Sequence, residues 1–161
     1  MEKKKICVGL IFGGNSNEHN VSISSAKTVF KAFNSNFNKQ RFIIKAFYIN
    51  QNGFWFDSDQ SIKFLLDKSK KDNLNKNKKQ INFLKNIDFQ NIDIWFPLLH
   101  GTNGEDGAIH GLLKFTQKPL IGSGILGSAL GMDKIMMKKL FANLGIPQVN
   151  YLAIQNLDLS K

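Results

Sequence analysis

The chain has 161 residues and a mass of 18.2 kDa, which is the size of one ordinary domain. Hydrophobic residues make up 42% and charged residues 21%, which excludes a disordered or collagenous chain. The formal net charge is +10, and every basic residue except Arg41 is a lysine. Because specific recognition of phosphates and bases usually relies on arginine, this charge does not indicate a nucleic-acid-binding protein.

The sequence also bears on the compartment in which the protein works. No apolar run approaches the roughly 18–20 residues of a membrane span, and residues 6–12 are too few for the core of a secretory signal. Cys7 is the only cysteine, which excludes an intrachain disulfide and favours a reducing compartment. We therefore predict a cytoplasmic protein without a membrane partner.

The first part of the chain predicts strands alternating with a helix. Residues 6–12 are continuously apolar and end in a glycine pair, a pattern typical of a strand buried on both faces of a parallel sheet. Polar residues follow and offer N-cap side chains for a helix whose apolar residues recur at helical spacing over 21–33. Residues 42–49 predict a second strand, and an NQNG turn predicts a hairpin into a short strand at 54–56.

A lysine- and asparagine-rich insert at about 57–90 interrupts this alternation. We interpret the insert as a solvated connection rather than a nucleic-acid-binding patch. Its few apolar residues predict a short helix around 62–66.

The second part of the chain resumes the alternation. Residues 92–99 predict a buried strand, 108–115 a short helix and 119–121 a brief strand. A helical pattern then runs over 133–144 and is stopped by a glycine and a proline. The whole pattern predicts an α/β fold with a doubly wound, mostly parallel sheet.

Three glycine-containing loops follow predicted strands, at 13–20, 100–107 and 122–124. In doubly wound sheets, ligands bind at the carboxyl ends of the strands. We therefore expect these loops to form one rim that binds a small ligand.

Five residues in or near these loops each allow a structural and a functional interpretation. Gly13 and Gly14 suit either a plain tight turn or a close approach of the backbone to a ligand. Glu18, near a helix start, is either stabilised by the helix dipole or holds a substrate ammonium group. His100 is either a hydrogen-bonded structural histidine or a donor to an anionic ligand. Lys134 is either a solvated lysine or a phosphate ligand.

Glu105 and Asp106 are adjacent carboxylates in the second loop. Neighbouring carboxylates face each other only when a turn folds them together, so we expect them to cap the helix at Ala108 rather than act as a paired acid and base. The sequence contains no zinc-ligand spacing, Ser/His/Asp order or Walker loop, and no metal-binding residue is predicted.

Four segments together resemble the N-terminal part of D-alanine–D-alanine ligases, which belong to the ATP-grasp group. They are GGNSNEHNVS at 13–22, LHGTNGEDGAIHGLL at 99–113, GSGILGSALGMDK at 122–134 and LGIP at 144–147. Their order and spacing match the family, and the likeness covers nearly the whole chain outside 57–90. Four motifs in register are far more specific than any one of them.

The resemblance implies ATP-dependent joining of two D-alanines for the bacterial cell wall, with magnesium as a further cofactor. The first D-alanine is phosphorylated on its carboxylate, and the amine of the second attacks the acylphosphate. By similarity, Glu18 holds the ammonium group of the first D-alanine and His100 lies near its carboxylate, which makes them the expected catalytic and substrate-binding side chains. Lys134 matches a lysine that contacts ATP. Gly13 and Gly14 match the loop that closes against the substrate.

The same resemblance divides the chain into a Rossmann-like, substrate-binding pre-ATP-grasp domain at 1–147 and the start of an ATP-grasp domain at 148–161. The family places its magnesium carboxylates and main ATP-binding lysines in further domains, so we expect that this polypeptide alone does not ligate D-alanine. Apolar residues near 146–154, which would meet the next domain, are expected to be exposed. Many relatives carry an acidic residue in place of Asn20, so no role is carried over to it.

Three hypotheses follow for the function of the chain. It is the substrate-binding lobe of a ligase, as a truncated product or half of a split enzyme; a non-catalytic relic or small-ligand-binding module; or a nucleic-acid-associated protein that uses the lysines at 63–85. A complementary chain with the missing domains separates the first from the second, and steep salt dependence of binding supports the third. The resemblance further implies a homodimer or such a complementary chain as partner.

Overall fold

The computed structural model describes residues 4–67 and 89–154, and within them the strands form one parallel sheet. The sheet has the order β2-β1-β3, with the bounds Ile6–Gly13 for β1, Phe42–Ile49 for β2 and Ile94–Pro97 for β3. The register places Gly13 opposite Ile49 and Ile11 opposite Pro97. The carboxyl ends of all three strands therefore lie at one edge, as the continuous hydrophobicity of β1 predicts.

Helices cover both faces of this sheet. They are α1 (His19–Phe33), α2 (Ser58–Leu66), α3 (Ala108–Lys114), α4 (Gly124–Met132) and α5 (Lys134–Asn143). Short 3₁₀ segments lie at Asn38–Gln40 and Phe89–Asn91. None of the helices in the described ranges is long and apolar enough to cross a membrane.

Successive side chains of β1 enter two separate cores. Leu10 and Phe12 are buried with residues of α1 and α2. Ile11 is buried on the other face, together with Trp95 of β3 and with Ile109 of α3. Because both faces of β1 are buried, its sequence lacks the alternation of apolar and polar residues that a half-exposed strand has. This arrangement confirms the predicted doubly wound α/β fold.

The two shortest predicted strands, 54–56 and 119–121, are shorter in the structure than predicted. Trp55 forms a single antiparallel bridge to β2, and Leu120 forms a single parallel bridge to β3. The first cannot continue because the Asp57 side chain accepts a hydrogen bond from an amide in the first turn of α2, which turns the chain away from the sheet.

The helices differ from prediction in three places, which are all of α4, the first residue of α5 and the start of α2. No helix was predicted at α4, because Gly124, Gly127 and Gly131 lower its helix propensity. The predicted helix at 133–144 is confirmed as α5, with Asp133 as its N-cap residue rather than a helical one. The predicted short helix around 62–66 is confirmed as α2 but begins earlier, at Ser58. The rest of the lysine-rich insert, 68–88, lies outside the described residues.

The C-terminal part of the described chain exposes an apolar surface. Met136 and Leu140 on α5 and its C-cap residue Leu144 lie at intervals of about one helical turn, and all three are exposed. The tail that follows is also apolar and exposed, with Leu152 83% accessible. The predicted exposure of residues 146–154 is therefore confirmed.

We expect this surface to bind an apolar dye such as ANS at neutral pH, because exposed apolar side chains in series are rare on soluble domains. Leu140→Gln should lower the dye fluorescence by interrupting the apolar row on α5. Ile43→Gln is the control, since Ile43 is equally apolar, is exposed, and lies near the amino end of β2. A monomeric chain that binds no dye, or an equal loss in both variants, would contradict this prediction.

Candidate functional site

The glycine pair after β1 makes a turn that only glycine accommodates. Gly13 and Gly14 have φ values of +94° and +92°, a backbone conformation that disfavours side chains. A Cβ atom on Gly13 would lie 2.1 Å from the carbonyl oxygen of Ile49. The Gly14 amide donates to that same oxygen at 2.8 Å. The tight turn is thus present, and it brings the following loop over the carboxyl end of the sheet.

The start of α1 lies directly against the loop that follows β3. Glu18 occupies the N-cap position without a side-chain cap, so the predicted capping by the preceding polar residues is wrong. Ser16 instead joins the two loops, because its hydroxyl accepts from the Glu18 amide at 3.2 Å and donates to the His100 carbonyl at 2.6 Å. The Glu18 carboxylate lies 2.7 Å from the point where a Cβ on Gly101 would stand. The structure therefore brings Glu18 and the His100 loop together.

The imidazole of His100 is held on two sides. Its Nδ1 lies 3.8 Å from a carboxylate oxygen of Glu105, and its Nε2 lies 3.4 Å from the hydroxyl of Ser25. The side chain keeps 30% of its surface accessible, so it remains able to meet a ligand. This geometry suits a histidine that donates a hydrogen bond to an anionic group at the rim.

The adjacent carboxylates of this loop have different tasks. Asp106 accepts from the Ala108 amide at 3.0 Å and from the Asn103 amide at 2.8 Å. The bond from Ala108 is the main cause that lowers the pKa of Asp106 below its ordinary value. The predicted cap is therefore confirmed for Asp106. It is wrong for Glu105, which accepts from the Gly101 amide at 2.8 Å and closes the loop.

Two cavities adjoin His100 at the carboxyl edge of the sheet. The larger, of about 500 Å³, is also lined by Glu105 and by Gly122 of the third predicted loop. The smaller, of about 250 Å³, is lined by Gly14 and by apolar side chains such as Trp55. The three loops expected to share a rim thus do so. Glu18 lies beside this rim without lining either cavity.

A second histidine, His110, also lines the larger cavity. His110 on α3 is buried, and its Nδ1 lies 3.0 Å from the hydroxyl of Ser128 on α4. Its Nε2 lies 2.8 Å from where a Cβ on Gly122 would stand, so this glycine leaves room for the ring. The contact attaches the glycine-rich α4 to α3 and thereby shapes the cavity.

Lys134 is exposed in the first turn of α5 and, like Glu18, lines neither cavity. Within residues 4–67 and 89–154, no three histidine, cysteine or carboxylate side chains come close enough to hold a metal ion. Magnesium, which proteins usually hold with one or two carboxylates beside substrate phosphates, is therefore not assigned to any described side chain, and Lys134 alone does not form a nucleotide site.

Sequence reasoning missed the serines of α1. Ser22 is buried, accepts from the Gly13 amide at 2.8 Å and donates to the Leu98 carbonyl at the end of β3. Ser25, one turn further on the same side of α1, approaches His100. The signal in the sequence was a set of serines on the side of α1 that otherwise faces the core. Their hydrogen-bond partners could not be predicted, because those partners lie far away in the sequence.

A parallel α/β domain that presents a carboxylate, a histidine and glycine turns at the carboxyl edge of its sheet is typical of a domain that binds a small polar molecule. Residues 7–123 match the family model described as "D-ala D-ala ligase N-terminus". The chain belongs to this family.

Relatives with high sequence identity to this chain are also named as D-alanine–D-alanine ligases. Two proteins called D-alanine–D-alanine ligase, from Prochlorococcus marinus strains AS9601 and MIT 9312, are 68% and 70% identical over 98% and 99% of this chain. The chain spans only 45% and 46% of their length. It is therefore similar to less than half of each relative.

Solved structures give the same result. The D-alanine-D-alanine ligase from Coxiella burnetii is similar with a TM-score of 0.74 and 30% identity, over 92% of this chain and 44% of that chain. The enzyme from Helicobacter pylori has a TM-score of 0.72 and 25% identity, over 91% of this chain and 47% of that chain. The fold seen here is thus shared with a part of these ligases.

Proposed function

We propose that this chain supplies one wall of the first D-alanine site in a D-alanine–D-alanine ligase, an ATP-dependent enzyme of peptidoglycan synthesis. In this proposal Glu18 holds the substrate ammonium group and His100 the substrate carboxylate. The turn at Gly13 and Gly14 carries the Glu18 loop over the sheet edge. The observation that carries the proposal is the position of the Glu18 carboxylate, 2.7 Å from a Cβ position on the residue next to His100.

The chemistry of the two side chains matches the two ends of an amino acid. An exposed carboxylate favours an ammonium group through charge-assisted hydrogen bonds. The partly exposed imidazole of His100 is placed to donate a hydrogen bond to an anionic group at the rim. When the two side chains bind opposite ends of the same zwitterion, they orient its carboxylate for activation.

The cofactors are proposed only because the chain belongs to this family. A ligase of this family uses ATP, and Lys134 is proposed to contact it. By the same resemblance, the carboxylates that hold Mg²⁺ are proposed to lie in the other domains of the ligase. A second copy of the chain, or a complementary chain that carries the other domains, is the proposed partner in the cytoplasm.

The proposal is tested by completing the ligase. The chain is fused to the remainder of the AS9601 relative, which is 68% identical over the shared part. We expect D-alanine-dependent ADP release from the fusion and none from the 161-residue chain alone. Glu18→Gln should lower kcat/KM for D-alanine by about tenfold or more, because a hydrogen bond between charged groups contributes about 1.5–3 kcal/mol.

Asp59→Asn is the matched control for this substitution. Asp59 is an exposed carboxylate in the first turn of α2, so the same loss of charge should leave kcat/KM unchanged. Equal losses in both variants would refute the role of Glu18. An inactive fusion, together with D-alanine binding that depends on Glu18, would favour the alternative of a non-catalytic small-ligand module.

A further inference from the structure

The buried imidazole of His19 connects the Gly14 turn to the middle layer of the domain. His19 is the first residue of α1 and is only 2% exposed. Its Nδ1 lies 2.5 Å from the Gly14 carbonyl oxygen, and its Nε2 lies 3.1 Å from the hydroxyl of Tyr48 on β2. Both ring nitrogens are thus engaged, one by the candidate substrate loop and one by the sheet.

These two contacts select one form of the ring. A carbonyl oxygen only accepts hydrogen bonds, so Nδ1 of His19 must carry a proton. In the neutral ring Nε2 is then an acceptor, and the hydroxyl of Tyr48 donates to it. The other neutral tautomer would direct the lone pair of Nδ1 at the oxygen of Gly14 and repel it. The Gly14 carbonyl therefore selects the Nδ1-protonated tautomer, and the Tyr48 hydroxyl supports that tautomer by donating to Nε2.

This contact fixes both ends of the loop that carries Glu18. The carbonyl of Gly14 lies at one end of the loop and His19 itself at the other. Glu18 directly precedes His19, is exposed, and its side chain makes no cap hydrogen bond to α1. Its orientation therefore depends on how firmly these ends are held.

We infer that His19 is a positioning residue for Glu18, and that Tyr48 keeps it in the Nδ1-protonated form. The D-alanine ammonium group would then meet a loop that is already in its binding conformation, which removes the entropic cost of ordering that loop. The identity of this ligand rests on the proposed function. The tautomer and the order of the loop do not.

Tyr48→Phe is the variant that separates this role from a purely structural one. The Tyr48 ring stacks on Phe64 at 4.5 Å and packs against Phe56 at 5.5 Å, and phenylalanine keeps both contacts. Only the hydroxyl is lost, so the fold is retained while His19 loses its donor. Tyr151→Phe, a half-exposed tyrosine in the tail, is the control.

The first measurement is a long-range ¹H–¹⁵N spectrum of the full chain, which distinguishes the two tautomers of each histidine. We expect the Nδ1-protonated form of His19 in the wild type and in Tyr151→Phe, and a mixture in Tyr48→Phe. The backbone order parameters over residues 15–18 should fall in Tyr48→Phe alone. An Nε2-protonated ring in the wild type, or an unchanged loop when the tautomer changes, would overturn the inference.

A titration of the same samples with D-alanine connects the inference to the ligand. We expect Tyr48→Phe to weaken binding about three- to tenfold, and Glu18→Gln to weaken it by about tenfold or more. An unchanged dissociation constant in Tyr48→Phe would overturn the positioning role. If the wild type binds no D-alanine while the tautomer and the loop respond as expected, the proposed ligand fails and the positioning of Glu18 stands.

Discussion

Gly13→Ala is expected to lower the free energy of unfolding by about 3 kcal/mol or more, through strain at the end of β1. The added Cβ would lie 2.1 Å from the Ile49 carbonyl oxygen and 2.9 Å from the ring of Tyr48. Both obstacles belong to β2, which pairs with β1 along its full length and cannot withdraw without breaking that pairing. The φ value of +94° adds a further cost of about 1 kcal/mol for any side chain.

Gly53→Ala separates these two contributions. Gly53 also has a positive φ, +80°, but a Cβ there meets nothing within 4 Å. We expect a loss of only about 1 kcal/mol for this variant, from the backbone conformation alone. Urea unfolding followed by circular dichroism measures both values. Equal losses would show that the close approach of β2 at Gly13 is relieved at no cost.

Ser22→Ala is the second substitution with a large expected effect, a loss of about 2–4 kcal/mol in the free energy of unfolding. The hydroxyl of Ser22 is fully buried and serves both an amide and a carbonyl, those of Gly13 and Leu98. Alanine leaves these two backbone groups without their partner in a place that water does not reach. An unmade buried hydrogen bond costs the desolvation of each group.

The matched control is Ser24→Ala, which changes an exposed serine on the same helix. Its expected effect lies within about 0.5 kcal/mol of zero, as for most surface substitutions. Amide hydrogen exchange at Gly13 gives a second readout, because that amide loses its acceptor in Ser22→Ala. Slow exchange at Gly13 in the variant would contradict the role assigned to Ser22.

The central strands and the site loops were predictable because their signals are local. A continuous apolar run closed by two glycines indicates a doubly buried strand and a turn, and β1 with Gly13 and Gly14 is that arrangement. The rule that parallel strands end at one edge placed the three loops together, and the cavities around His100 agree. The roles of Glu18 and His100 toward a substrate stay predictions.

Local signals failed where tertiary contacts outweigh propensity. The glycines of α4 argue against a helix, yet the contact from His110 to Ser128 attaches it to α3. The residues at 54–56 suit a strand by composition, but the cap at Asp57 leaves room for one bridge only. In each case the deciding partner lies elsewhere in the chain or in the next element.

The sequence by itself determined the α/β class, the parallel sheet, the glycine turn and the likeness to the ligase family, because each depends on residue type and spacing along a short stretch. Only the tertiary structure decided which side chains hold the candidate site. Ser22 reaches Leu98, and His19 reaches Tyr48, across 76 and 29 positions of the chain. Such contacts satisfy buried polar groups, and the partner of a buried polar group is set by the packing of whole elements rather than by its neighbours in sequence.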